Sequence, residues 1–241
     1  MSTVDPDEIA KFEAMADEWW DPDGKFKPLH QINPLRLDYI QHSAAGHFKD
    51  GLKDLSILDI GCGGGLLAEG LWQRGAKVVA IDRSDTIISV AQTHQRQTGS
   101  DVDYRMQSTG QLQESGTEFF DMVMAMEVLE HVPDVPGFIR EAASVLKPGG
   151  LLFFATLNRT WQSWLKAIVG AEYILGWLPR GTHRHDKFIR PSELEADLRH
   201  AGLRMRDVTG MVYSPLLREW RLDRDTSVNF LGFALRPDQD G

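Results

Sequence analysis

The sequence predicts an α/β protein built on a mostly parallel sheet with helices covering both faces. Three observations carry this. Short apolar runs alternate with helix-length segments from about residue 56 to residue 157, the pattern of βαβ units. The first of these runs leads into a cluster of glycines and then into another helix-like segment, Leu58-Asp59-Ile60-Gly61-Cys62-Gly63-Gly64-Gly65-Leu66. At 42% hydrophobic and 25% charged residues over 241 positions, the chain has enough apolar material for a sizeable core.

The elements follow in order. Asp7–Trp20 reads as a helix, with Ile9, Phe12, Ala16 and Trp19 at helical spacing. Asn33–His47 reads as a second helix, with Pro34 early in it and Leu35, Tyr39 and Ile40 on its buried side. Ser56–Ile60 is the first strand and Leu66–Arg74 the helix after it. Lys77–Ile81 is a strand, and Thr86–Thr98 a helix ended by Gly99. Val102–Met106 and Phe119–Met126 are strands. Val135–Val145 is a helix stopped by Lys147-Pro148-Gly149-Gly150, and Leu151–Thr156 is the fifth strand. Ser192-Glu193-Leu194-Glu195 matches a capping box opening a further helix. Leu203–Tyr213 and Asn229–Leu235 are strand-like and suit an antiparallel pair at the sheet edge. One domain is expected over 1–241, with residues 1–50 as a helical cap and residues 160–190 as an insertion.

Charge and cysteine content exclude several classes. The 26 basic and 35 acidic residues give a net charge of −9, so a broad grip on nucleic acid is not expected. A single cysteine, Cys62, allows neither an internal disulfide nor a multi-thiolate zinc site and fits a reducing compartment. The polar, acidic stretch Met1–Lys11 has neither the basic nor the apolar region of a secretory signal.

The glycine loop is the main functional signal. Glycines there allow φ > 0 and close approach of a ligand to the backbone. A dinucleotide frame can be fitted as Gly63-x-Gly65-x-x-Ala68, so pattern alone does not decide. Charge decides more. Asp59 lies two residues before Gly61, and a carboxylate there opposes a pyrophosphate but attracts an ammonium or sulfonium group. Asp82 follows Gly61 by 21 residues, where a carboxylate accepts hydrogen bonds from ribose hydroxyls. The two acids suit a nucleoside with a cationic, phosphate-free tail, and S-adenosylmethionine is such a molecule. Asp59 is expected to orient the ammonium group or cap the loop, not to act as a base.

At this point the sequence resembles the seven-stranded, Rossmann-like class I methyltransferases, through Leu58–Gly65, Asp82, Phe119–Met126 and Leu146–Gly150. It resembles more narrowly the ubiquinone-biosynthesis O-methyltransferase family. The segments that carry this are Ile9–Glu13, Trp19-Trp20-Asp21, Phe26–His30, Ile32–Arg36, Met126–Asp134, Thr156–Arg159, Val169–Leu175, Gly181-Thr182-His183 and Lys187-Phe188-Ile189. The resemblance implies a seven-stranded, mostly parallel sheet with an antiparallel edge strand. It implies S-adenosylmethionine as cofactor and methylation of phenolic hydroxyls on polyprenylated ubiquinone precursors, of the 3-demethylubiquinol and 2-polyprenyl-6-hydroxyphenol types. It also implies other ubiquinone-biosynthesis proteins as partners. By the same resemblance Arg36, Gly61, Asp82 and Met126 would contact the methyl donor, with Arg36 suited to its carboxylate. Asp59 and Gly63 complete the loop. Ser108 stands after the third strand, where many members of the superfamily carry an acid that meets adenine.

Glu127, Glu130 and His131 stand at i, i+3 and i+4, so one helical turn would place them on one face. Two carboxylates and an imidazole could bind a divalent cation, and oxygen-rich ligation suits Mg²⁺. A phenol near pKa 10 ionises little at neutral pH, and a bound cation would lower that pKa as a Lewis acid. His131 as general base is the alternative, and a plain Glu127–His131 ion pair is the structural one. Trp161–Leu178 is aromatic and apolar, with only Lys166 and Glu172 charged, and Arg180–His185 behind it is basic. That combination suits a segment lying on an anionic membrane surface, and the expected location is the inner face of the cytoplasmic membrane. Packing on the protein's own core is the alternative. Three other functions stay open: a methyltransferase acting on another small phenol or lipid, a non-catalytic cofactor- or lipid-binding module, and a nicotinamide dehydrogenase.

Overall fold

The computed structural model describes residues 6–116, 118–163, 187–214, 217 and 219–238. Among them the sheet has eight strands, in the order β3-β2-β1-β4-β5-β8-β6-β7. The first five are parallel: β1 (Ser56–Ile60), β2 (Lys77–Asp82), β3 (Asp103–Met106), β4 (Phe120–Met126) and β5 (Leu146–Leu157). β6 (Arg204–Ser214), β7 (Glu219–Asp223) and β8 (Asn229–Leu235) complete the sheet. β8 runs antiparallel to β5, and β6 is antiparallel to both β8 and β7.

The central strands are buried on both faces, as parallel strands must be when helices cover them. On β4, Met122 and Met124 join one core, while Val123 and Ala125 join the other. The first core packs under α2 (Lys27–Ala45), α3 (Leu66–Gln73) and α4 (Asp85–Thr98), through Leu37, Ile40, Leu71 and Ala91. The second packs under α5 (Thr109–Ser115), α6 (Val135–Ser144) and α8 (Pro191–His200), through Leu112, Ile139 and Leu198. A third, small cluster joins Met15, Ala16, Trp19 and Phe26 to Ile87 of α4. It holds the N-terminal segment over one end of the sheet.

Several expectations need correction. The first helix is two pieces, α1 (Pro6–Glu13) and a 3-10 turn at Ala16–Glu18. The break lets the indoles that follow turn onto the glycine loop. The second helix starts earlier, with Pro28 in its first turn, and Pro34 lies inside it. α5 was not expected; its signal is the Ser108-x-x-Gln111 capping box. The turn before β5 is not a clean stop, because residues 147–150 are taken up in the strand. Phe120 pairs with Leu146 and Met122 with Leu151, so the register shifts across them. Ser192 does not cap α8. Arg190 is the capping position, and its N–H donates to Glu193 Oε2 at 3.1 Å; Pro191 suits the first helical position. The expected antiparallel pair at the sheet edge is present as β6 and β8, and β7 adds an eighth strand to the expected seven. β7 alternates weakly and is half exposed, so it carries no strong strand pattern. α7 (Trp161–Ser163) opens the expected insertion. Residues 164–186 of it, with Trp164 to Leu178 and the basic run to His185, lie outside the described residues.

Candidate active site

A cavity of about 290 Å³ opens at the carboxyl ends of β1, β2 and β4. The chain leaves β1 toward β2 on one side and meets β4 on the other, the crevice where open α/β sheets bind ligands. Its floor is the glycine loop. Gly61 donates its N–H to the Ile81 carbonyl at 2.9 Å. At Gly63 φ is +56°, and an added Cβ would lie 2.0 Å from Trp19 Cζ2. Only glycine meets both conditions there.

Asp59, at the end of β1, lines this cavity with only 2% of its surface exposed, and its Oδ2 has no hydrogen-bond partner among the described residues. Burial, and secondly the Asp82 charge, push its carboxyl up to about 8, against a smaller opposing pull from Arg36. Arg36 comes from α2, is buried and pairs with Glu127. Its Nε is also without a partner among the described residues. One pocket therefore holds an unpartnered carboxyl oxygen and an unpartnered guanidinium edge. A zwitterionic amino-acid tail satisfies both, which fits S-adenosylmethionine.

Asp82 caps the loop from β2. Its Oδ2 accepts the Gly63 N–H at 3.2 Å and its Oδ1 accepts the Ser84 N–H at 3.0 Å. Burial raises its carboxyl, and those backbone donors oppose the rise. Met126 ends β4, buried at the cavity wall. Ser108 borders the cavity, but its hydroxyl is engaged as the α5 cap, accepting the Gln111 N–H at 3.1 Å.

The predicted trio does not form one helical face. Glu127 has φ +56°, a left-handed conformation that costs a non-glycine residue about 1–3 kcal/mol and collects at functional sites. Its N–H donates to the Ala155 carbonyl at 2.9 Å, and its carboxylate meets Arg36. Only Leu129–His131 forms a 3-10 turn. Glu130 is buried, hydrogen-bonds Glu127 and accepts from the Thr156 hydroxyl at 2.7 Å. Burial first, and the neighbouring Glu127 charge second, push its carboxyl well above the usual range. His131 meets Phe12 edge-on, with ring centroids 5.1 Å apart. No group of three or more His, Cys, Asp or Glu among the described residues is drawn together as a metal cluster, and Glu127 and Glu130 stand as a hydrogen-bonded pair.

The sequence reading missed three contributors. Thr156 reads as the end of an apolar strand, yet it fixes Glu130. Phe12 and Trp19 read as packing residues, yet they line the cavity. Their helical spacing showed burial but not against what.

The fold and pocket define a nucleoside-binding α/β transferase. A methyltransferase domain family matches residues 38–208. The magnesium protoporphyrin IX methyltransferase of Synechocystis PCC 6803, solved with bound SAH, shares the fold at a TM-score of 0.64 and 20% identity, over 94% of each chain. The class is thus the S-adenosylmethionine-dependent methyltransferases. A ubiquinone biosynthesis O-methyltransferase of Parvibaculum lavamentivorans is 51% identical, covering 98% of this chain and 95% of its own. One of Methylobacterium nodulans is 50% identical, at 98% and 96%. This chain belongs to the ubiquinone biosynthesis O-methyltransferase family.

Proposed function

We propose that the protein moves the methyl group of S-adenosylmethionine to phenolic hydroxyls of polyprenylated ubiquinone precursors, of both the 3-demethylubiquinol and the 2-polyprenyl-6-hydroxyphenol type. The observation that supports this within the family is the carboxylate pair Glu127–Glu130, set against the donor pocket. The chain acts as one domain, with its N-terminal segment as a cap.

The donor's tail lies between Asp59 and Arg36, its ribose at Asp82 and its base toward Ser108. Gly61, Gly63 and Met126 shape the cleft. Arg36 exchanges part of its contact with Glu127 for the donor's carboxylate. The sulfonium methyl is already activated, so the protein's task is in-line approach of the acceptor oxygen and removal of the phenolic proton. The neutral carboxyl of Glu130 donates to Glu127 and leaves one negative charge shared by the pair. That charge faces the acceptor, and His131 stands next to it in sequence as the alternative base. Two hard oxygen donors at an open pocket also fit Mg²⁺, which is held by one or two carboxylates and keeps its other positions for water and substrate oxygens. When bound, the ion would lower the phenol's pKa.

The acceptor's polyprenyl tail argues for work at an anionic membrane surface on the inner face of the cytoplasmic membrane. Trp161, 69% exposed at the start of the insertion, supports this. No helix among the described residues is long and apolar enough to cross a membrane. The deciding experiment is transfer from labelled S-adenosylmethionine to both short-tailed acceptors, with magnesium and with chelator. Transfer to both acceptors is expected. Loss under chelation assigns a cation to the carboxylate pair, whereas survival leaves proton removal to the pair's own charge or to His131. No transfer to either acceptor, in protein that binds the donor, refutes the substrate assignment.

A further inference from the structure

The N-terminal segment carries two adjacent indoles that face different partners. Trp19 lies on the glycine loop. It is 7% exposed, lines the cavity and packs on Phe26 with centroids 4.0 Å apart and the rings tilted by 30°. Trp20 turns to the outside of the same loop. Its Nε1 donates to the Gly64 carbonyl at 3.0 Å, and its ring lies flat on His94, 3.3 Å away and within 4° of parallel.

His94 belongs to α4, and its ring is held in place. Its Nδ1 meets Glu69 Oε1 at 3.0 Å. Glu69 is 2% exposed, and its other oxygen accepts the Thr98 hydroxyl at 3.1 Å. It sits in the first turn of α3, where its N–H donates to the Gly65 carbonyl at 2.9 Å. A buried carboxylate on the glycine loop's own helix thus fixes an imidazole, and that imidazole carries Trp20. The donor chemistry proposed above uses neither Glu69 nor His94. Burying a carboxylate is costly unless it is paired and hydrogen-bonded, and here all its partners serve to fix the platform.

We infer that Glu69 and His94 are positioning residues for the methyl donor: they clamp Trp20, and through it hold Trp19 across the glycine loop as a wall of the donor pocket. The inference rests on the donor reading of this pocket. The N-terminal segment has a second anchor, since Ser84 Oγ donates to Glu13 Oε1 at 2.6 Å. The clamp therefore tunes how often the wall is in place and does not decide whether the segment docks at all. Apparent donor affinity scales with the fraction of molecules in the competent state. Weakening the clamp lowers that fraction but leaves the chemistry unchanged once donor and acceptor are bound.

The test compares the full-length protein with His94→Ala, Trp20→Ala, their double variant and Trp20→Phe. SAH binding is measured by calorimetry, and donor KM and kcat with the demethylated quinol acceptor. His94→Ala is expected to weaken SAH about tenfold, equivalent to about 1.4 kcal/mol, with donor KM rising in step and kcat at saturating donor within about twofold of the parent. Trp20→Ala should lose at least as much, since it also gives up the Gly64 hydrogen bond, and the double variant should lose no more than Trp20→Ala alone, because His94 acts only through Trp20. Trp20→Phe keeps a ring on His94 and loses only the Gly64 hydrogen bond, so its loss should be smaller. It also tests the clamp if the alanine variants do not fold. Unchanged SAH affinity in folded His94→Ala overturns the inference, as do losses that add fully in the double variant or a fall in kcat with KM unchanged. If the parent itself fails to bind SAH, the donor reading falls first, and the inference with it.

Discussion

Replacing Asp59 with asparagine should stabilise the ligand-free protein while weakening its hold on the donor. The carboxyl is buried, with one oxygen unpartnered among the described residues, and its pKa stands near 8 instead of 3.8. An acid whose native pKa is raised makes the native state bind more protons than the unfolded chain. Stability is then greatest at acid pH and falls as pH rises from about 4 to about 8, after which the loss is complete. Four pH units at 1.36 kcal/mol each bound the penalty at about 5 kcal/mol. The buried amide also lacks a full set of partners, at a cost of about 1–3 kcal/mol, and relaxation around the charge reduces the gain further. The expected net gain for Asp59→Asn at pH 8 is about 1–3 kcal/mol. Urea unfolding of both proteins from pH 5 to pH 8.5 measures it. The difference should widen with pH, while SAH affinity drops about tenfold or more. Parallel stability curves across that range would refute the reasoning, because they would show that the Asp59 carboxyl titrates alike in the folded and unfolded chains.

Three further outcomes are expected. Gly63→Ala should abolish measurable donor binding, since φ is +56° and the new Cβ meets the Trp19 ring at 2.0 Å; calorimetry with SAH reads it. Glu130→Ala, which removes the partner that shares the Glu127 charge, should lower kcat by about 10²-fold or more with little change in donor KM, and Thr156→Val, which removes the 2.7 Å hydrogen bond to Glu130, should give a smaller loss in the same direction; steady-state kinetics separate the two. Arg36→Lys should raise donor KM about tenfold, because an ammonium cannot span Glu127 and a donor carboxylate as a guanidinium fork does, and equal donor KM in the two proteins would remove Arg36 from the donor site.

Much of the donor cleft was legible along the chain, because it is built from local features. The glycines, Asp59 before them and Asp82 at the end of the next strand occupy fixed places in a βαβ unit, so their spacing translates directly into position. The five parallel strands were legible for a similar reason. Each is a short apolar run buried on both faces, and such runs stand out from the amphipathic helices between them. The misses share a different origin. Ser192 was read as opening one helix and Pro34 as lying early in another, whereas the helices open at Arg190 and Phe26. Packing, and not the local pattern, set both starts. β7 escaped notice because an edge strand need bury only one face.

The trio at Glu127, Glu130 and His131 marks the boundary most clearly. Its i, i+3, i+4 spacing was correct as spacing, but the helix that would make use of it is absent. Glu127 takes a left-handed conformation, supported by Ala155 on a neighbouring strand and by Arg36 from a helix 91 residues away in sequence. The chain by itself determined the alternation of strands and helices, the glycine loop and its two acids, and the family to which they belong, since these depend on residue type and local periodicity. Tertiary structure alone decided which carboxyl stays neutral, which one Arg36 pairs with, and which indole closes the pocket. Burial and charge pairing depend on groups far apart in sequence, and only the packed fold brings them within reach of each other.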